Sequence, residues 1–165
     1  MHFGEEVDEE RFVALIRPGE DIHTLITADV YGSGACDTLV GRALAGLSRD
    51  SYALAGAIGH DFYDGERQGA KGFPRFTNPA LRGPDDYAAY LRRAAERSLE
   101  RCGTDHFDLL MLHNPDRIGY SSEIVWHAMA SLREEGLARR IGVAPGPANG
   151  FTLDLIGCLE RFGDL

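Results

Sequence analysis

The chain has 165 residues, 44% of them hydrophobic, and carries 17 Lys+Arg against 26 Asp+Glu for a net charge of −9. That is the size of one ordinary globular domain. An acidic chain without clustered Lys and Arg lacks the electrostatic footprint of a nucleic-acid binder, so no nucleic-acid partner is expected. The longest apolar runs, such as residues 109–112, fall far short of the roughly 18 to 20 residues that a membrane span needs, and no membrane partner is expected. The acidic start, Met1-His2-Phe3-Gly4-Glu5-Glu6, has neither the basic nor the apolar region of a secretory signal, which points to the cytoplasm. Cys36, Cys102 and Cys158 form no CxxC pair and read as small packing residues. His60, Asp61 and His113 are metal-ligand types, but their spacing matches no ligand signature, so no metal is expected.

In chain order, a short helix is predicted over residues 8–16, halted by Arg17-Pro18-Gly19. An apolar strand follows at residues 24–28. Val40, Ala43, Leu44 and Leu47 then repeat at helical spacing. A second strand is predicted at 52–58, before a long irregular stretch at 59–83 that contains Gly65, Gly69, Gly72, Pro74 and Pro79 with Phe62, Tyr63, Phe73 and Phe76. Loops of that length inside a compact domain usually carry function. Tyr87, Leu91, Ala94, Ala95, Ser98, Leu99 and Cys102 mark the next helix, and residues 107–113 the third strand. Val125, Ala128, Met129 and Leu132 line another helix, residues 140–144 a fourth strand, and Leu155, Ile156, Leu159 and Phe162 a last helix. Regular alternation of strand and helix implies parallel strands joined by helical crossovers.

Three segments resemble the aldo-keto reductase family. The first is Thr27-Ala28-Asp29-Val30-Tyr31-Gly32, followed by Gly41-Arg42-Ala43-Leu44. The second runs from Ser98-Leu99-Glu100-Arg101-Cys102-Gly103-Thr104-Asp105 through Asp108-Leu109-Leu110-Met111-Leu112-His113-Asn114-Pro115-Asp116. The third is Leu132-Arg133-Glu134-Glu135-Gly136-Leu137-Ala138-Arg139-Arg140-Ile141-Gly142-Val143. The resemblance implies an α/β fold, the parallel (β/α)8 barrel of TIM type, in which catalytic groups stand at the C-terminal ends of strands. It implies an oxidoreductase that uses NADPH or NADH to reduce a small-molecule carbonyl substrate.

In that family a tyrosine hydroxyl protonates the carbonyl oxygen, helped by a lysine paired to an aspartate, and a histidine orients the carbonyl. Tyrosine, with an unperturbed pKa of about 10, needs such help to act near neutrality. By position, Tyr31 matches the tyrosine and His113 the histidine. Tyr31 and Asn114 are the candidate cofactor contacts. The aspartate position falls on Ile26 and the lysine position on Ala57, and Lys71, in the long loop, is the only lysine in the chain. Losing both charges together is physically coherent, because either alone would be an unpaired buried charge. His60, three residues beyond Ala57, is a candidate substitute proton donor, since imidazole titrates near neutral pH. Where the family offers serine-asparagine to the nicotinamide, this chain has Ala144-Pro145, and proline has no amide N–H to donate.

Two functional classes stay open at this point. One is a reductase with altered acid-base machinery carried by Tyr31, His113 and His60. The other is a catalytically inactive or truncated relative that binds a ligand or a partner. A closed barrel takes typically ~250 residues. The chain is therefore expected to form one domain over 1–165, an incomplete barrel of roughly half the full size with about four to five βα units, counting a remnant strand at residues 2–4. Its open sheet is expected to self-associate or to pair with a second half-barrel.

Overall fold

The computed structural model describes residues 8–146 and 150–165, apart from the side chain of Lys71. The remnant strand expected at residues 2–4 lies outside the described residues. Four strands, β1 (Thr24–Ile26), β2 (Ala53–Ile58), β3 (Leu109–His113) and β4 (Ile141–Ala144), form one sheet in the order β1-β2-β3-β4. Every pairing is parallel, as the alternation of elements predicts. The crossovers run through α2 (Ala35–Leu44), α3 (Tyr87–Cys102) and α5 (Glu123–Glu134), with α2 packed on α3 and α3 on α5. The remaining helices are α1 (Glu9–Ile16), α4 (Arg117–Ser121) and α6 (Thr152–Phe162). Among the described residues, no helix is long and apolar enough to cross a membrane.

Side chains alternate across a strand, so the sheet has two chemically distinct faces. Leu54, Ile58, Leu110 and Leu112 are fully buried on the face beneath the helices. The opposite face carries Ile26, Ala55, Ala57, Leu109, Met111 and His113, brought into line by the pairings Ile26↔Ala55, Ala55↔Leu109 and Ala57↔Met111. Ile26 is 69% exposed there. Helix α3 closes the other side of the core with Tyr90, Leu91, Ala94, Ala95, Leu99 and Cys102. It ends at Gly103, whose φ of 64° lets the chain reverse while the Gly103 and Thr104 amides donate to the carbonyls of Glu100 and Leu99.

The strands are shorter than the apolar runs that predict them. Beyond β1, the amides of Thr27 and Asp29 still donate to the carbonyls of Ala55 and Ala57, but no strand is formed there because the chain is already turning. Phe107 makes a single bridge to Ala138 rather than extending β3. Helix α2 stops at Leu44, short of Leu47, because Ala45 is extended and Gly46 takes a φ of 76°. Leu47 still packs against the core from the following turn. Helix α4 was not legible in the apolar pattern. It is one turn started by Asp116, whose carboxylate accepts from the Gly119 amide at 2.8 Å.

The closest backbone approach in the helix layer is at Gly41. A Cβ added there would come within 2.4 Å of the Arg101 carbonyl oxygen on α3. Replacing Gly41 with Ala must therefore push α2 off α3. Thermal or denaturant unfolding of Gly41→Ala should show a loss of about 1–3 kcal/mol, the usual scale of overpacking.

Candidate active site

Tyr31 opens a tight turn in which Gly32, Ser33 and Gly34 all have positive φ, of 61°, 54° and 95°. Ser33 is the unusual one, since side chains rarely occupy that region outside functional or strongly held loops. The support lies underneath. Asp37, fully buried on α2, accepts from Thr27 Oγ1 at 2.7 Å, Ser98 Oγ at 2.8 Å and Arg101 Nη2 at 3.1 Å. The Arg101 side chain passes directly below Gly34, where an added Cβ would meet its Nε at 2.9 Å. The turn thus rests on a satisfied buried ion pair, and Tyr31, 44% exposed, projects beyond it.

The segment 59–83 is not an open loop. Its ends are zipped together: Asp61 N donates to Pro74 O at 2.8 Å, Phe76 N donates to Gly59 O at 3.0 Å, and His60 and Arg75 form an antiparallel bridge. Phe76 stacks on Tyr90 of α3, with ring centres 5.2 Å apart. Beyond that neck, Arg82 pairs with buried Asp61 at 2.5 Å and lies over the Tyr90 ring. The segment therefore delivers His60 and Arg75 to the C-terminal end of β3.

Three residues singled out by sequence converge there. The rings of Tyr31 and His113 meet edge to face with centres 5.7 Å apart, and those of His60 and His113 at 4.8 Å. Asn114 follows directly, with a φ of 46°. Its side-chain nitrogen is 3.4 Å from His60 Nε2. Burial, reinforced by the Arg75 guanidinium, lowers both imidazoles from 6.5 to about 4, so both are neutral near pH 7. His113 Nδ1 is buried without a hydrogen-bond partner among the described residues. Ile26 and Ala57 share the open face of the sheet with His113, one strand step apart from each other. Lys71 has no described side chain, so its place relative to the site is not part of the geometry.

Arg75 is the site residue that sequence reasoning missed. It donates through Nη1 to His60 Nδ1 at 3.0 Å and through Nε to the Asn114 carbonyl. Its only sequence signal is its place in the glycine- and aromatic-rich segment, which does not distinguish it from Arg67 or Arg82.

Parallel βα units with an imidazole and a phenol at the C-terminal strand ends define the (β/α) barrel class of folds, of which this sheet is a part. A family profile, "Aldo/keto reductase family", matches residues 21–150. The chain belongs to that family. An aldo-keto reductase of Mycolicibacterium smegmatis is 31% identical over 131 residues, which cover 74% of this chain and 46% of that protein. A 6-dehydroglucose reductase of Agrobacterium fabrum is 28% identical over 128 residues, covering 76% and 39%. Among solved structures, an aldo/keto reductase from Klebsiella pneumoniae in complex with NADP and acetate superimposes with a TM-score of 0.67 at 29% identity, covering 99% of this chain and 48% of that one. The holo form of an aldo-keto reductase from Bacillus halodurans gives 0.66 at 30% identity, covering 84% and 42%. The chain thus spans about half the length of these relatives, and its sheet is about half of their barrel.

Asp29, two residues ahead of Tyr31, was also missed. It is fully buried and neither carboxyl oxygen has a hydrogen-bond partner among the described residues. Burial first, then the nearby Asp37 carboxylate, raises its pKa well above the ordinary 3.8. Below 3.8 the group is protonated in folded and unfolded chains alike and contributes no pH-dependent loss of stability. As the pH rises, the unfolded chain ionises first and stability falls. Asp29→Asn should therefore be more stable than the parent at pH 7, with the gap closing as the pH drops below about 4. Denaturant unfolding of both proteins across that range is the measurement, and a pH-independent gap is the contrary result.

Proposed function

We propose that the chain belongs to an NAD(P)H-dependent reductase of small carbonyl compounds, acting in the cytoplasm, with the segment 59–83 as an active-site loop. The observation that carries this reading is the convergence of Tyr31, His113 and His60 at the C-terminal strand ends of an aldo-keto reductase sheet. The residues present suit the nicotinamide end of the cofactor. Tyr31 is half-exposed beside His113, and the Asn114 amide is at the rim. A recess of about 390 Å³ lined by Arg75, Asn114, Tyr120 and Phe151 opens next to them. Tyr31 and Asn114 would hold the nicotinamide, which supplies a hydride when bound. Ala144-Pro145 contributes no side-chain donor to it.

In this proposal His113, neutral at working pH, donates an N–H to the carbonyl oxygen, and the Tyr31 hydroxyl delivers the proton. His60, packed against His113, belongs to the same machinery. Ile26 and Ala57 stand in place of the family's aspartate and lysine, so neither position sets an ammonium group beside the tyrosine. That substitution also favours a second reading, in which the strand ends bind a ligand or partner without turnover.

The readings separate in a cofactor titration followed by turnover on a panel of aldehydes and ketones. Tyr31→Phe should reduce turnover by about 10²-fold or more, the scale of a lost proton donor. The pair Ile26→Asp with Ala57→Lys should raise turnover if the tetrad positions are correctly read. Cofactor binding without any gain from the pair would count against that reading. Binding with no turnover in any variant would favour the second.

The open face of the sheet, with Ile26 exposed, and the exposed Leu153, Ile156 and Leu159 of α6 suit pairing with a second half-barrel or another copy of the chain. Light scattering of the purified chain should show association, and a monodisperse, cooperatively folding monomer would refute it.

A further inference from the structure

His60 is held on both sides. A guanidinium can only donate, so the 3.0 Å contact from Arg75 Nη1 requires His60 Nδ1 to present its lone pair. A neutral ring then carries its proton on Nε2. That nitrogen lies 3.4 Å from the Asn114 side-chain nitrogen, and two donors cannot bond. The Asn114 amide orientation that satisfies the contact therefore turns its oxygen to His60, because amide oxygen and nitrogen are assigned from their partners. Arg75 Nε donates to the Asn114 carbonyl as well, at the residue whose φ of 46° marks the end of β3. Arg75, His60 and Asn114 close a hydrogen-bonded ring, and its His60 imidazole packs against that of His113. The competing arrangement has an acceptor ready, since the Phe73 carbonyl oxygen is 3.4 Å from the same His60 Nδ1.

The groups facing this ring are few. His60 meets Arg75, His113 and, through its carbonyl oxygen, the Tyr90 hydroxyl of α3 at 3.1 Å. His113 meets His60, the Tyr31 ring and the field of Arg75. Asp116 and Tyr120 are the groups whose charge acts on Arg75. Asp116 itself is engaged with Thr77 Oγ1 at 2.7 Å and with the Gly119 amide. Among the described residues, no carboxylate makes an ion pair with Arg75, so its donors serve His60 and Asn114.

We propose that Arg75 is a positioning residue that locks His60 in the Nε2–H tautomer and, through the contact of the two imidazoles, fixes His113 at the strand end. That His113 then receives a carbonyl oxygen rests on the functional reading above. The lock itself does not, and it assigns His60 a supporting position rather than direct proton donation.

The test is the proton position, read by nitrogen-15 NMR of the histidine rings in the full chain at pH 7, with His60→Gln and His113→Gln used only to assign signals. Wild type should show His60 as Nε2–H. In Arg75→Met, His60 should shift toward the Nδ1–H form bonded to Phe73, and its titration midpoint should rise from about 4 toward 6.5. Asn114→Ala, which keeps Arg75, should retain the Nε2–H form. An Nδ1–H tautomer in the wild type, or a His60 midpoint unmoved in Arg75→Met, overturns the proposal. If Arg75→Met does not fold, the wild-type and Asn114→Ala tautomers decide alone. Because nothing here depends on turnover, an inactive chain with His60 as Nε2–H would sink the reductase reading and leave the lock standing. An active chain with the other tautomer would do the reverse.

Discussion

The buried ion pair between Asp61 and Arg82 is the constraint on which the site depends. Their side chains are 0% and 7% exposed, and Asp61 accepts the amides of Tyr63 and Asp64 as well. A carboxylate taken out of water at that depth is tolerated only when its lone pairs are filled. Filling them demands one conformation of the chain after β2. Arg82 lies over the Tyr90 ring, and the Tyr90 hydroxyl bonds to the His60 carbonyl. Rigid α3 is thereby connected, through two side chains, to the imidazole beside His113.

A second buried carboxylate does the same for the other half of the site. Asp37 collects Thr27 from the end of β1, Ser98 and Arg101 from α3, and so ties the Tyr31 turn to the helix that also anchors the long segment. The two networks share α3, which is why residues from β1, β2 and β3 can be held in one register at their C-terminal ends. Asp29 is the contrast: equally buried, but without partners for its oxygens among the described residues. Its cost is borne in the turn that presents Tyr31, where strain in Ser33 is also concentrated.

The open face of the sheet is lined by small or apolar side chains where the family resemblance places a charged pair. Ile26 and Ala57 lie one strand step apart on that face, so an ion pair removed from both positions leaves no orphaned charge. The polar groups that meet at the strand ends include Arg75, His60, Asn114 and His113. At the strand ends Arg75, a loop residue, sets its positive charge beside the imidazoles.

Period and punctuation in the sequence were enough for the alternation of elements, the parallel sheet and the family, because burial of one helix stripe and of alternate strand residues leaves a local mark at known spacing. The motifs also pointed to Tyr31 and His113, whose places follow from being at the ends of those strands. Strand limits were overestimated at residues 27–28 and 107–108, since an apolar residue can be buried beyond the last ladder bond, as Phe107 is. The one-turn helix at 117–121 left no apolar stripe to read. Arg75 and the orphaned Asp29 were invisible for a different reason. Their character depends on a partner 39 residues away for Arg75, through Asn114, and for Asp29 on the lack of a partner for its oxygens among the described residues. Sequence spacing determined which residues could reach the strand ends. Only the folded chain, by closing the 59–76 neck and burying Asp61 against Arg82, decided which of them meet, because long-range hydrogen bonds and desolvation have no local signature.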